Sequence, residues 1–301
     1  MKNMPLRIAI AVLAIATAAA FAVPARGAKP RSQGPVGLGL GSFHAECAYS
    51  HRLSDDPIVF PRGPGASHPH DFFGSMSTDA FSTPLSIQAG PTSCTRTNST
   101  VTADKDRSAY WVPTLYVANQ PVVATTMGAY YKSGVRYTQS IKPFPKDFKM
   151  IAGSAAGGPQ EIDAELVWYF ECPGGTLVNG SSTVAPTCKT PRIDLSIRFP
   201  DCWDGVNIDT ADHKSHVAYS RKLDGAAART CPPTHPTLLP QLEISFRYPT
   251  TAGPSLRLAS GAINTAHADF MNGWDQPTLQ ALVENCLVVD KYCGGGDLPA
   301  H

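Results

Sequence analysis

The chain carries 27 prolines and 25 glycines in 301 residues, a density that breaks long helices and suits short strands joined by turns. Between the breaks the pattern has period two. Ile193, Leu195, Ile197 and Phe199 alternate with Asp194, Ser196 and Arg198, and Leu242, Ile244, Phe246 and Tyr248 alternate with Glu243, Ser245 and Arg247. Such alternation marks strands with one buried face. Residues 110–117, 122–131 and 166–170 read as further β-rich runs. The expected fold is mainly β: a single sandwich or jelly-roll-like domain with long disulfide-pinned loops. One C-terminal helix is expected, capped by Asp275 and burying Leu279, Leu282, Val283, Cys286 and Leu287.

Lys2 and Arg7 precede an apolar run over residues 8–23, and small residues follow, the pattern of a secretory signal peptide ending near residue 28. The run falls short of the roughly 20 apolar residues that span a bilayer, and Pro24 follows it, so no stable membrane insertion is expected after cleavage. The expected layout is a signal peptide over 1–28, a flexible leader over 29–43, one globular domain over 44–293 and a flexible tail over 294–301. All eight cysteines follow the signal. They predict four disulfides, with near-neighbour closure pairing Cys47 with Cys94, Cys172 with Cys188, Cys202 with Cys231, and Cys286 with Cys293. Cys-x-x-Cys zinc knuckles do not occur. A formal charge of +1 gives no field that favours nucleic acid. The expected setting is secreted, extracellular or cell-wall associated.

Histidines concentrate in short polar clusters, where sites form. In Ser67-His68-Pro69-His70-Asp71, the rings of His68 and His70 fall on one side of an extended segment and can grip one ion; they can equally be solvated loop residues. Residues 201–216 hold Asp204, Asp209, Asp212, His213 and His216, either a site or turn-capping residues around a disulfide. His235 lies in a Pro-rich loop, and His267 and Asp269 share a face if extended, able to act as a base with its orienter or as two metal ligands. The metal candidates are therefore His68, His70, His213, His216 and His235. Imidazole with carboxylate suits zinc or copper first.

The blocks His68-Pro69-His70-Asp71-Phe72-Phe73-Gly74, residues 108–116, Asp201-Cys202-Trp203-Asp204-Gly205, residues 212–219, residues 231–236 and residues 269–275 occur in that order. Together they resemble the domain-of-unknown-function family numbered nineteen ninety-six, from about Cys47 to Cys286. The resemblance implies a secreted protein of a kind found in fungi and bacteria, in fungi often joined to small domains thought to bind cell-wall carbohydrate. It carries no catalytic residue over.

Two functions of different class follow. In the first, a carbohydrate-active enzyme, Asp204, Asp209, His267 and Asp269 are the catalytic candidates, and Asp71, Tyr110, Trp203 and Trp274 the ligand-binding ones, aromatic faces stacking on sugar rings. Trp111, in a strand run, is better read as core. In the second, a non-catalytic cell-surface or matrix protein, the same residues form a metal site or a structural network. In either, His68, His70, Asp71, His213, His216, His235, His267 and Asp269 are expected to converge, and polysaccharide is the expected partner.

Overall fold

The computed structural model describes residues 41–97, 103–134, 140–158, 160–162, 165–179, 182–222, 229–251 and 253–293. The signal peptide, most of the leader and the tail lie outside the described residues. Ser42 and Phe43, assigned above to the leader, already belong to a strand, Ser42–Cys47.

Two main sheets form an open sandwich. In the seven-stranded sheet the order is Thr176–Asn179, Trp168–Cys172, Ile193–Arg198, Gln241–Tyr248, Thr126–Lys132, Ser42–Cys47 and Cys94–Thr97, every pair antiparallel. Its inner face carries the residues that the alternation predicts, Leu195, Ile197, Leu242, Ile244 and Phe246, all with no exposed surface. The five-stranded sheet has the order Tyr49–Leu53, His70–Gly74, Ala109–Pro113, His267–Met271 and Lys149–Gly153. Phe73 of this sheet meets Phe246 of the other at a ring distance of 5.2 Å, and Phe270 packs with Tyr110 and Phe144. Each fully buried aromatic side chain contributes roughly 3 kcal/mol through the apolar area it removes from water.

The five-stranded sheet is covered on its outer face as well. Ile58 and Ile87 close over Phe72, Ala109, Trp111, Ile151 and Met271 to make a second, smaller core. Three of its strands, His70–Gly74, Ala109–Pro113 and His267–Met271, are therefore buried at every position. Ile87 comes from a short helix, Pro84–Ala89, that the sequence reading did not anticipate. Thr83 and Ser86 form its capping box and Pro84 opens it, but six residues are too few to show a helical period.

Asp275 caps the C-terminal helix Gln276–Leu282 through the Thr278 N–H, as expected. The chain then widens into a π turn, Val283–Leu287, that keeps Val283, Cys286 and Leu287 inward. The four disulfides join Cys47 to Cys94, Cys172 to Cys188, Cys202 to Cys231 and Cys286 to Cys293. Such staples are those of an extracellular or secreted protein. No helix among the described residues is long and apolar enough to cross a membrane.

Candidate metal centre

The site lies at one end of the second core, and strand alternation builds it. His70 and Phe72 point to the outer face of the five-stranded sheet, and the segment that enters the strand, residues 67–69, puts His68 on the same side. The rings of His68 and His70 are 4.3 Å apart. Across the central strand, His267 and Asp269 likewise share a face. His267 comes within 5.1 Å of the His68 ring and 5.8 Å of the His70 ring. Trp111 stands between them, in register with both Phe72 and Asp269. The ligand atoms of His68, His70 and His267 all lie within 4.8 Å of one another, as do those of Asp56, His70 and Asp269.

The tautomers follow from the hydrogen bonds. His70 Nδ1 is 3.0 Å from the Asp55 carbonyl, and His267 Nδ1 is 2.8 Å from the Thr265 carbonyl. A carbonyl only accepts, so both Nδ1 atoms carry the proton and both Nε2 atoms keep a lone pair. The Nε2 atoms of His68 and His70 are buried and, among the described residues, find no hydrogen-bond partner. Burial holds all three imidazoles in the neutral form, with His70 well below the usual range and His267 at about 4. Two buried imidazole nitrogens side by side without a partner call for a ligand.

The carboxylates sharpen that need. Asp269 is fully buried, and neither of its oxygens finds a partner among the described residues. Burial, then the nearby Asp56, push its carboxyl well above the usual range. Asp56 caps the turn that follows it, accepting from Ile58 N at 3.0 Å and Val59 N at 2.9 Å, and burial raises its carboxyl too. An unpaired buried carboxylate costs several kcal/mol unless a cation or a proton compensates it. Three neutral imidazoles and two carboxylates form a donor set that suits a first-row divalent ion.

The other candidates are placed differently. Asp71 points to the opposite face from His70, as period two requires, and there pairs with Arg52 at 2.6 Å and Thr114 at 2.9 Å. Residues 201–216 dock against the edge strand Lys149–Gly153, beside the cluster. Lys214 donates to the Gly153 carbonyl at 2.6 Å, and Gly153 is in register with His267. Gly153 has φ +79°, and a β-carbon there would sit 2.3 Å from the Ala266 carbonyl oxygen, so only glycine fits. His213, held at φ +56°, pairs through Nδ1 with Asp209 at 2.8 Å. Asp209 also takes Lys149 at 3.3 Å. His216 donates from Nε2 to the Lys149 carbonyl, and Thr210 holds its other nitrogen. His235 is tied to Ser215 and Thr234. Asp204 caps its own turn at Val206 and Asn207.

The convergence expected of eight residues thus brings together His68, His70, His267 and Asp269. Asp71 faces away, while His216 and His235 use both ring nitrogens in loop hydrogen bonds. Tyr110 and Trp274 are buried, their polar ends joined through the Tyr131 hydroxyl while Tyr110 also donates to Asp106, and they present no face to a ligand. Trp203 is partly exposed but donates to the Asn207 carbonyl. Asp55 and Asp56 went unread because an acidic pair before a proline looks like turn chemistry, and Asp56 does cap a turn.

The molecule is a disulfide-stapled β sandwich with a buried histidine and carboxylate cluster on its smaller sheet. The family model described as Domain of unknown function (DUF1996) matches residues 56–274, and the chain belongs to that family. The matched span contains all five residues of the cluster, from Asp56 to Asp269. No curated protein and no solved structure matches the chain.

Proposed function

We propose that this is an exported metal-binding protein that acts on extracellular polysaccharide, with a zinc or copper ion held by His68, His70, His267 and Asp269. Asp56 completes the donor set. The observation that carries the reading is the Asp269 carboxyl, fully buried without a hydrogen-bond partner among the described residues, in a cluster whose His68 and His70 Nε2 atoms also lack partners. His68 is only partly buried, while His70 and His267 are buried, so the centre opens toward solvent on the His68 side. An ion there would polarise a bound water or a substrate oxygen. The Asp209–His213 pair, on the loop that docks beside the cluster, supplies an oriented imidazole for proton transfer.

Elemental analysis by mass spectrometry of protein purified from a secreting host without chelator tests the reading. The expected result is about one zinc or copper per chain, lost when His68 and His70 are both changed to Ala and when Asp269 is changed to Asn. A folded, metal-free protein that takes up neither ion on addition would sink it.

A further inference from the structure

The outer face of the seven-stranded sheet holds a groove of about 280 Å³, on the other sheet from the histidine cluster. Lys132, Arg192 and Arg247 line it together with Glu171, Asp194 and Glu243, so its charges cancel. These groups hold one another in place. Lys132 reaches Glu243 at 2.9 Å, Arg192 chelates Asp194, and Arg247 approaches Asp194 at 3.6 Å. Ser196 and Ser245 are joined at 3.0 Å on the floor. The lining is thus a fixed array of donors and acceptors with equal numbers of positive and negative groups, which strongly favours neither a free anion nor a free cation.

Tyr130 adds an aromatic surface. A β-carbon on Gly128 would lie 2.8 Å from the Tyr130 ring, so the ring lies down across Gly128 instead of standing upright from the sheet. Gly128 is not in the left-handed region; the ring occupies the space where a side chain would be. One wall is the turn at Cys172, Pro173 and Gly174, fixed by the disulfide to Cys188.

We propose that this groove binds a short stretch of a neutral oligosaccharide, with Tyr130 as the platform for one sugar ring and the paired charged groups reading its hydroxyls. The inference rests on the polysaccharide reading above and gives it a second site, separate from the metal centre. A sugar offers an apolar ring face for Tyr130 and hydroxyls that both donate and accept. A peptide or nucleic acid would bring net charge or a longer footprint. The volume, at the small end of ligand clefts, fits one or two sugar units of a longer chain.

Isothermal titration calorimetry with cellohexaose, xylohexaose, laminarihexaose and chitohexaose tests it. At least one should bind with a Kd below about 1 mM. Tyr130→Ala should weaken that binding about tenfold, while Tyr130→Phe keeps it. Arg247→Ala, at a half-exposed position, should weaken it without threatening the fold. Binding should persist in EDTA and in the His68→Ala/His70→Ala variant, and Tyr130→Ala should keep its metal; the two readings therefore fail separately. Absence of binding by all four sugars would overturn the proposal, as would wild-type affinity in both Tyr130→Ala and Arg247→Ala. Preferential binding of an oligogalacturonate would overturn it too.

Discussion

His70 and Asp71 are adjacent in the chain and serve opposite faces of one sheet: the imidazole enters the histidine cluster, and the carboxylate meets Arg52 at 2.6 Å. Their substitutions should therefore separate. His70→Ala is expected to lose bound metal and stay folded. Asp71→Asn is expected to keep its metal and lose about 2 kcal/mol in urea unfolding, because it breaks a pair whose Arg52 end is partly solvated. Metal loss in Asp71→Asn with unchanged stability would reverse the assignment of faces.

Asp269 gives a different signature, since among the described residues it has no hydrogen-bond partner to lose. Removing the ion from the wild type withdraws its binding free energy and leaves this buried carboxyl to take up a proton in its place, so EDTA should lower Tm. The binding term reaches about 4 kcal/mol when free metal stands a thousandfold above Kd. In Asp269→Asn the buried charge is gone, and Tm should be the same with and without EDTA. Differential scanning calorimetry of both proteins in both conditions decides it; an EDTA effect of equal size in the variant would remove Asp269 from the donor set.

The same strand geometry explains what could be read from the residues and what could not. The seven-stranded sheet was legible because one face meets water, so Ile193–Arg198 and Gln241–Tyr248 show their period openly. The strand His267–Met271 is buried on both faces, and its polar residues interrupt the apolar run instead of alternating with it. The pairs His68 with His70 and His267 with Asp269 were readable from spacing alone. That these two pairs meet was not, because the contact depends on Ala109–Pro113 pairing between their strands. Period two also carried the information that Asp71 leaves the site, since His70 and its neighbour cannot share a face. Asp56 reaches the cluster from a loop, where no period exists to betray it.

Another buried carboxylate, Asp106, contributes to the response of the fold to pH. Asp106 has no exposed surface, and burial pushes its carboxyl up to about 6, against the pull of the Tyr110 hydroxyl and Ser108. Between the ordinary value of 3.8 and about 6 the folded chain holds a proton that the unfolded chain has released. The contribution is thus complete below about pH 4 and is lost as pH rises through 6. At about 1.4 kcal/mol per pH unit it amounts to about 3 kcal/mol. Asp106→Asn cannot titrate, and its amide oxygen can still accept from Tyr110. The difference in unfolding free energy between wild type and variant, measured at pH 4, 5, 6 and 7, should shift toward the variant as pH rises. A constant difference would mean that Asp106 is ionised throughout.

The disulfides differ in how much of the unfolded chain they restrict. Cys47–Cys94 spans 47 residues and ties the Ser42–Cys47 strand to the edge strand Cys94–Thr97, whereas Cys286–Cys293 spans 7 and fastens only the turn after the last helix. Loop-closure entropy gives the first about 4 kcal/mol and the second about 2 kcal/mol. Replacing each pair with serine should lower the urea midpoint in that order, and the Cys286→Ser/Cys293→Ser protein should still bind metal, since the cluster lies on the other sheet. Equal losses from the two replacements would show that the short bridge holds native packing around Cys286 and Leu287 as well as restricting the unfolded chain.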